Sequence, residues 1–177
     1  MNIVKFKDKE FKLFIRNEEI QKAIIQVAGK INMELKGKKP LLLGILNGAF
    51  MFAADLMKNL DNGCEISFVK FSSYSGITST GKVNTLIGFN ETIKGRVVVI
   101  LEDIVDTGAT LENLLQSISE YEPVEIKIAT LLFKPEAYTK SIKLDYVGME
   151  IPNDFIVGYG LDYEGLGRNL KDIYKVI

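Results

Sequence analysis

Glu102, Asp103 and Asp106 follow directly on Val97, Val98, Val99, Ile100 and Leu101, the most apolar run in the chain. Three carboxylates desolvated beside a buried strand are costly unless cations or hydrogen-bond donors offset them. Immediately afterwards, Asp106, Thr107, Gly108, Ala109 and Thr110 form a small, hydroxyl-bearing, glycine-containing turn. That turn opens a helical pattern of Leu111, Leu114, Leu115 and Ile118. Free amides at a helix N-terminus together with two hydroxyls make a receptor for a phosphate monoester. An anion cradle beside a group of acidic acceptors suits a ligand with phosphate at one end and hydroxyls or Mg²⁺ near its middle. A phosphorylated ribose meets that description. The plainer alternative is that Thr107 or Asp106 caps the helix and the acids are solvated, since capping is the commonest task of such residues.

The rest of the composition narrows the chemistry. The chain has 177 residues, enough for one domain with a sizeable core, and is 47% hydrophobic and 25% charged, as ordinary globular proteins are. Lys and Arg total 22 against 23 Asp and Glu, so no basic surplus argues for nucleic acid. Cys64 is the single cysteine, which excludes an internal disulfide and a CxxC metal site. Histidine is absent, so acid–base work at neutral pH falls to carboxylates, Lys or Tyr. No stretch approaches the roughly 20 apolar residues of a membrane span, and the N-terminus lacks the apolar core of a signal peptide. A soluble, cytoplasmic protein with no membrane partner is expected.

The elements that must position these residues follow from hydrophobic period. Ile20, Ala23, Ile24, Val27, Ala28 and Ile31 recur at helical spacing, with Asn17 as the expected N-terminal cap and Gly37 as the stop. Residues 41–46 form a continuous apolar run of the kind buried on both faces of a parallel sheet. Asn47 and Gly48 turn the chain, and Phe50, Ala53, Ala54 and Met57 are expected on one helical face. Strands are expected over residues 66–71, 86–89, 97–101, 124–133, 146–151 and 155–159, with a loop rich in Ser, Thr and Gly over residues 72–81. Alternating strands and helices predict an α/β fold with a doubly wound, mostly parallel sheet, occupying residues 1–177 as a single domain. In such sheets ligands gather at the carboxyl ends of the strands.

The run VVVILEDIVDTGAT (97–110) resembles the phosphoribosyl-diphosphate motif of type I phosphoribosyltransferases. Asp106, just before Thr107 and Gly108, is similar to the 6-oxopurine branch, the hypoxanthine–guanine phosphoribosyltransferases. Four further segments agree in order: Leu46-Asn47-Gly48 with the diphosphate turn, Ser72-Ser73-Tyr74 to Gly81 with the mobile loop, Leu131-Leu132-Phe133-Lys134 with the strand ending in the purine-reading lysine, and FIVGYGLDY (155–163) with Arg168. One departure stands at Asn47, where many relatives carry a basic residue.

The resemblance implies the type I fold, with a small hood from the terminal segments, and Mg²⁺-dependent transfer of a 5-phosphoribosyl group from phosphoribosyl diphosphate to N9 of hypoxanthine or guanine. It also implies roles. Asp106, Thr107, Gly108, Ala109 and Thr110 would hold the 5-phosphate, with Glu102 and Asp103 at the ribose. Asp106 would be the general base at purine N7. Asn47, Gly48, Ser73, Tyr74 and Arg168 would hold diphosphate. Lys134, Phe155, Ile156 and Asp162 would read the purine, and Glu102, Asp103 and Asp162 would serve Mg²⁺ directly or through water. Small-molecule substrates and a homodimer or homotetramer are implied as well. The alternatives are a xanthine-preferring enzyme and a nucleotide-sensing regulator without catalysis. No G-x-G-x-x-G follows the first strand, which removes a redox dinucleotide fold.

Overall fold

The computed structural model describes residues 2–61, 63–71, 85–87 and 92–177. Its main sheet is ordered β5 (Thr85–Ile87), β4 (Glu65–Phe71), β3 (Leu41–Leu46), β6 (Val97–Val105), β7 (Glu125–Phe133) and β8 (Tyr146–Glu150). Five of these six strands run parallel, and β5 alone pairs antiparallel, against β4. The apolar runs in β3 and β6 follow from this position, because both faces of a central parallel strand are covered. Helices α1 (Asn17–Glu34) and α2 (Phe50–Lys58) join one face of the sheet in a core that includes Leu42, Val99, Leu101 and Leu131. Helix α3 (Ala109–Ser119) closes the other through Leu111, Leu114 and Ile118, which pack with Leu43, Val98 and Ile100. This is the doubly wound α/β arrangement expected from the alternation of elements.

The expected hood is present as a second, antiparallel sheet. Its order is β1 (Ile3–Phe6), β2 (Lys9–Ile15), β10 (Ile173–Val176) and β9 (Ile156–Val157), so both ends of the chain and the 156–157 segment meet there. The strand expected over residues 155–159 is therefore two residues long and lies outside the main sheet. Its partner is Tyr174 and Lys175, a long-range pairing with no local signal.

Two helix details also differ from expectation. Arg16, not Asn17, precedes α1, without a side-chain cap; instead the Asn17 amide donates to Asp172 Oδ1 at 2.8 Å and the Asn17 side chain donates to the Lys171 carbonyl. The helix start is thus tied to the C-terminal segment. In α2 the buried face is Phe52, Ala53 and Leu56, while Phe50 stands 41% exposed at the first turn. No helix among the described residues is long and apolar enough to cross a membrane.

Candidate active site

Strand β6 continues through Val105, so Glu102 and Asp103 are strand residues and not members of a solvated loop. Backbone pairing with β7 holds Glu102 opposite Thr130. Glu102 is 8% exposed, and its Oε2 is buried with no hydrogen-bond partner among the described residues. Burial, reinforced by the neighbouring charge of Asp103, pushes the Glu102 carboxyl well above its ordinary range. Burial likewise pushes Asp103 up to about 6, against the opposing Ile104 amide, which donates to Asp103 Oδ1 at 3.0 Å, and the nearby Arg168 charge. The turn after β3 presses on the same carboxylate: a Cβ at Gly48 would overlap it. Glycine is required there for that close approach. The peptide joining Leu46 to Asn47 in this turn is cis.

Residues 102–111 line a cavity of about 240 Å³. Gly108 takes φ of +85° just before α3, a conformation open to glycine at little cost. A Cβ on it would stand 2.6 Å from the Tyr138 ring and 2.9 Å from the Lys140 side chain. No side chain caps α3; Thr107 Oγ1 accepts only a long 3.4 Å bond from the Ala109 amide, and Asp106 turns elsewhere. Capping therefore does not account for this turn, and the opening amides of the helix line a polar cavity with positive dipole toward it.

Asp106 Oδ2 accepts a 3.2 Å bond from Lys134 Nζ. The two side chains differ in setting: Lys134 is 8% exposed at the end of β7, and Asp106 is 46% exposed above it. Lys134 thus supplies a nearly buried cation, held to the neighbouring strand by its own amide, which donates to the Val105 carbonyl at 3.0 Å. A ligand resting over Asp106 would meet an acceptor and a donor side by side.

The loop after β9 brings the third group of residues. Arg168 Nη2 lies 2.5 Å from Asp162 Oδ1, and its Nη1 donates to the Gly160 carbonyl at 2.6 Å. Asp162 Oδ2 also accepts from the Gly165 amide at 2.6 Å. Gly160, with φ of +97°, lies so close to the Gly48 carbonyl that a Cβ would collide with it. Asp103, Gly48, Gly160 and Arg168 therefore form one series of contacts linking β6, the turn after β3 and the C-terminal loop. Phe155 stands apart on the hood, 45% exposed, with its ring edge-on to Tyr163 at 5.8 Å and 6.2 Å from Phe11. Ile156 is buried in β9 and Asn47 is exposed at its turn. Ser73 and Tyr74 lie outside the described residues.

A family model described as "Phosphoribosyl transferase domain" matches residues 15–164, a span that takes in every site residue expected from the sequence except Arg168. The chain belongs to the phosphoribosyltransferase family. The hypoxanthine-guanine phosphoribosyltransferase of Streptococcus pneumoniae (strain ATCC BAA-255 / R6) is 44% identical over 92% of this chain and 91% of its own. The corresponding protein of Bacillus subtilis (strain 168) is 41% identical over 92% and 91%. A crystal structure of a hypoxanthine-guanine phosphoribosyltransferase from Bacillus anthracis superposes with a TM-score of 0.88 at 37% identity, covering 98% of this chain and 100% of that one.

In this phosphoribosyltransferase some supporting residues escape sequence reasoning. Thr139 clasps the 106–110 turn from outside, its amide and hydroxyl both donating to the Thr107 carbonyl at 3.3 and 3.2 Å. Lys140 lies over Gly108 and pairs with Glu112 at 2.6 Å in the first turn of α3. Neither belongs to a recognisable motif; only the left-handed glycine hints that something must pack against it. Among the described residues no three acidic or sulfur side chains converge into a ready-made metal cage. The orphaned Glu102 oxygen beside Asp103 nevertheless fits a hard cation that keeps most of its ligands as water or substrate oxygens, as Mg²⁺ does.

Proposed function

We propose that the whole chain acts as one purine-salvage domain that transfers the 5-phosphoribosyl group of phosphoribosyl diphosphate to N9 of hypoxanthine and guanine. The products are IMP or GMP and diphosphate, with Mg²⁺ required. The observation that carries the acceptor is the Lys134–Asp106 pair at 3.2 Å, next to the phosphate turn. A 6-oxopurine offers Lys134 its exocyclic oxygen and offers Asp106 the N7 proton. Adenine offers an amino group to Lys134, which leaves a buried donor unpaired and disfavours it.

Departure of diphosphate leaves an oxocarbenium-like sugar, and the residues divide the work of supporting it. Thr107, Gly108, Ala109 and Thr110 bind the 5-phosphate through amides and hydroxyls, with Asp106 at the edge of the same turn. Glu102 and Asp103 lie under the ribose diol and, with Asp162, would hold Mg²⁺, which would supply charge neutralisation to the substrate. Asp106 takes the proton from purine N7 as N9 attacks. Phe155 presents its open face to the base, and the backbone of Ile156 reads its edge. Arg168 exchanges part of its contact with Asp162 for the leaving diphosphate, joined by the Asn47 and Gly48 amides and, on closure of the 72–81 loop, by Ser73 and Tyr74. That closure would exclude water from an electrophilic sugar.

By its likeness to phosphoribosyltransferases we further propose a cytoplasmic enzyme with small-molecule substrates, working as a homodimer or homotetramer without nucleic-acid or membrane partners. A steady-state assay with hypoxanthine, guanine, xanthine and adenine tests the function. Mg²⁺-dependent turnover of hypoxanthine or guanine is expected; adenine as the best substrate, or no turnover of any base, would refute the roles of Lys134 and Asp106.

A further inference from the structure

Asp55 and Tyr159 have no part in the chemistry above, yet they are joined by a bond of the kind usually found inside active sites. The Tyr159 hydroxyl donates to Asp55 Oδ2 at 2.6 Å, and the Gln21 amide donates to the same oxygen at 2.8 Å. Lys58 binds the other carboxylate oxygen at 2.8 Å. Tyr159 is 1% exposed. Burial, with the adjacent Asp55 carboxylate, raises the phenol well above its ordinary range, so the hydroxyl stays a donor at any working pH. Burial also pushes Asp55 up, but the bonds from Lys58, Tyr159 and Gln21 together outweigh it and leave the carboxyl lowered.

The backbone at this point is unusual. Gly158, Tyr159 and Gly160 take φ of +105°, +49° and +97°, three left-handed residues in succession with a bulky aromatic in the middle. Such a run persists only where its surroundings over-determine it. Here the surroundings include the main core around the Tyr159 ring and several specific backbone contacts. The Tyr159 amide donates to the Leu170 carbonyl at 2.8 Å and the Gly160 amide to the Arg168 carbonyl at 3.0 Å, while Gly160 itself abuts the Gly48 carbonyl. Asp55 belongs to α2, the helix that begins at Phe50, immediately beyond the Asn47–Gly48 turn. One helix therefore carries both the turn that Gly160 touches and the carboxylate that holds Tyr159.

We infer that the Asp55–Tyr159 hydrogen bond is a positioning device for the diphosphate half of the site. By tethering the left-handed run to α2 it presses Gly160 onto Gly48, and so sets Arg168 and the Asn47–Gly48 turn at a fixed separation. The 5-phosphate turn and the Lys134–Asp106 pair hang from the ends of β6 and β7 and are supported by Thr139 and Val105 instead. Loss of the tether therefore weakens diphosphate recognition selectively. The proposal rests on the phosphoribosyl-transfer function stated above, which wild-type turnover tests separately.

Tyr159→Phe removes the hydroxyl and keeps the ring. It is expected to raise both the KM for phosphoribosyl diphosphate and the Kd of Mg-diphosphate, read by calorimetry, about tenfold, with IMP affinity and saturated kcat changing less than about threefold. Asp55→Ala is expected to match it, Asp55→Asn, which keeps an acceptor, to recover part of the loss, and the Tyr159→Phe/Asp55→Ala double variant to be no worse than either single one. Unchanged diphosphate binding in Tyr159→Phe would overturn the proposal. So would equal weakening of diphosphate and IMP accompanied by a lower Tm, the signature of a merely structural residue. If the wild type bound Mg-diphosphate but transferred no phosphoribosyl group, the functional assignment would fall, while the calorimetric comparison would still decide the tether.

Discussion

In the proposed reaction Asp106 both binds Lys134 and receives a purine proton, and its half-exposed side chain leaves it open to a ligand. Replacing it with Asn keeps the size and the contact with the phosphate turn but removes the basic oxygen. Asp106→Asn is expected to lower kcat by about 10² to 10⁴, the usual worth of general acid–base catalysis, with the KM for phosphoribosyl diphosphate changed less than about threefold. Steady-state kinetics check it; equal losses in both would make Asp106 a binding residue. Glu102 and Asp103 carry a different signature. Their carboxyls are raised in the fold, Asp103 to about 6 from an ordinary 3.8. Between those values the folded protein binds more protons than the unfolded chain, so stability falls as pH rises through that window. The metal-free protein is thus expected to lose Tm between about pH 4 and 6 from Asp103, with Glu102 adding a loss in the same direction, and added Mg²⁺ to restore more Tm at pH 7.5 than at pH 5. Thermal melts with and without Mg²⁺ measure both; an Mg²⁺ effect independent of pH would separate the ion from these acids.

At the scale of elements, the phosphate turn depends on how β6, α3 and the 138–140 segment meet around Gly108. Gly108→Ala forces a left-handed alanine and pushes its methyl toward Tyr138 and Lys140. A loss of about 1–2 kcal/mol in stability is expected, together with weaker IMP binding, by denaturant titration and calorimetry; a neutral variant would mean that the turn relaxes freely. The order of the main elements was legible because apolar runs such as 97–101 and periodic sets such as Ile20 to Ile31 reflect burial directly. The cavity lined by residues 102–111 was legible because acids and a small hydroxyl-bearing turn are chemically improbable beside a buried strand. What stayed hidden depends on distant parts of the chain. Asp172 holds the start of α1 from 155 residues away, β9 exists only by pairing with β10, and Thr139 reaches Thr107 from beyond both α3 and β7. The strand end expected at Leu101 lies four residues later, at Val105, since pairing with β7 extends past the acids where polarity alone suggested an end.

For the molecule as a whole, the proposed reaction needs two parts to keep register: a main sheet bearing the 106–110 turn and Lys134, and a hood bearing Phe155. Ile15, Ile156, Tyr159 and Ile173 from the hood side join the same core as α1, α2 and β6, so the two are fused by packing. The hood also has a small core of its own, in which Phe11 is fully buried with Val157 and Tyr174 and its ring lies 6.1 Å from Phe6, 6.2 Å from Phe155 and 6.0 Å from Tyr163. Phe11 backs the Phe155 ring, which is proposed to meet the base. Phe11→Ala leaves a cavity directly behind Phe155 and is expected to cost about 3–5 kcal/mol of stability. Because the main sheet keeps its own cores, the damage to function should be uneven. The KM for hypoxanthine should rise about tenfold or more, while that for phosphoribosyl diphosphate moves less than about threefold, since the phosphate turn is built on β6 and α3. Parallel rises in both constants would show that the hood and the sheet respond as a single unit, and Phe155 would then lose its separate assignment to the base.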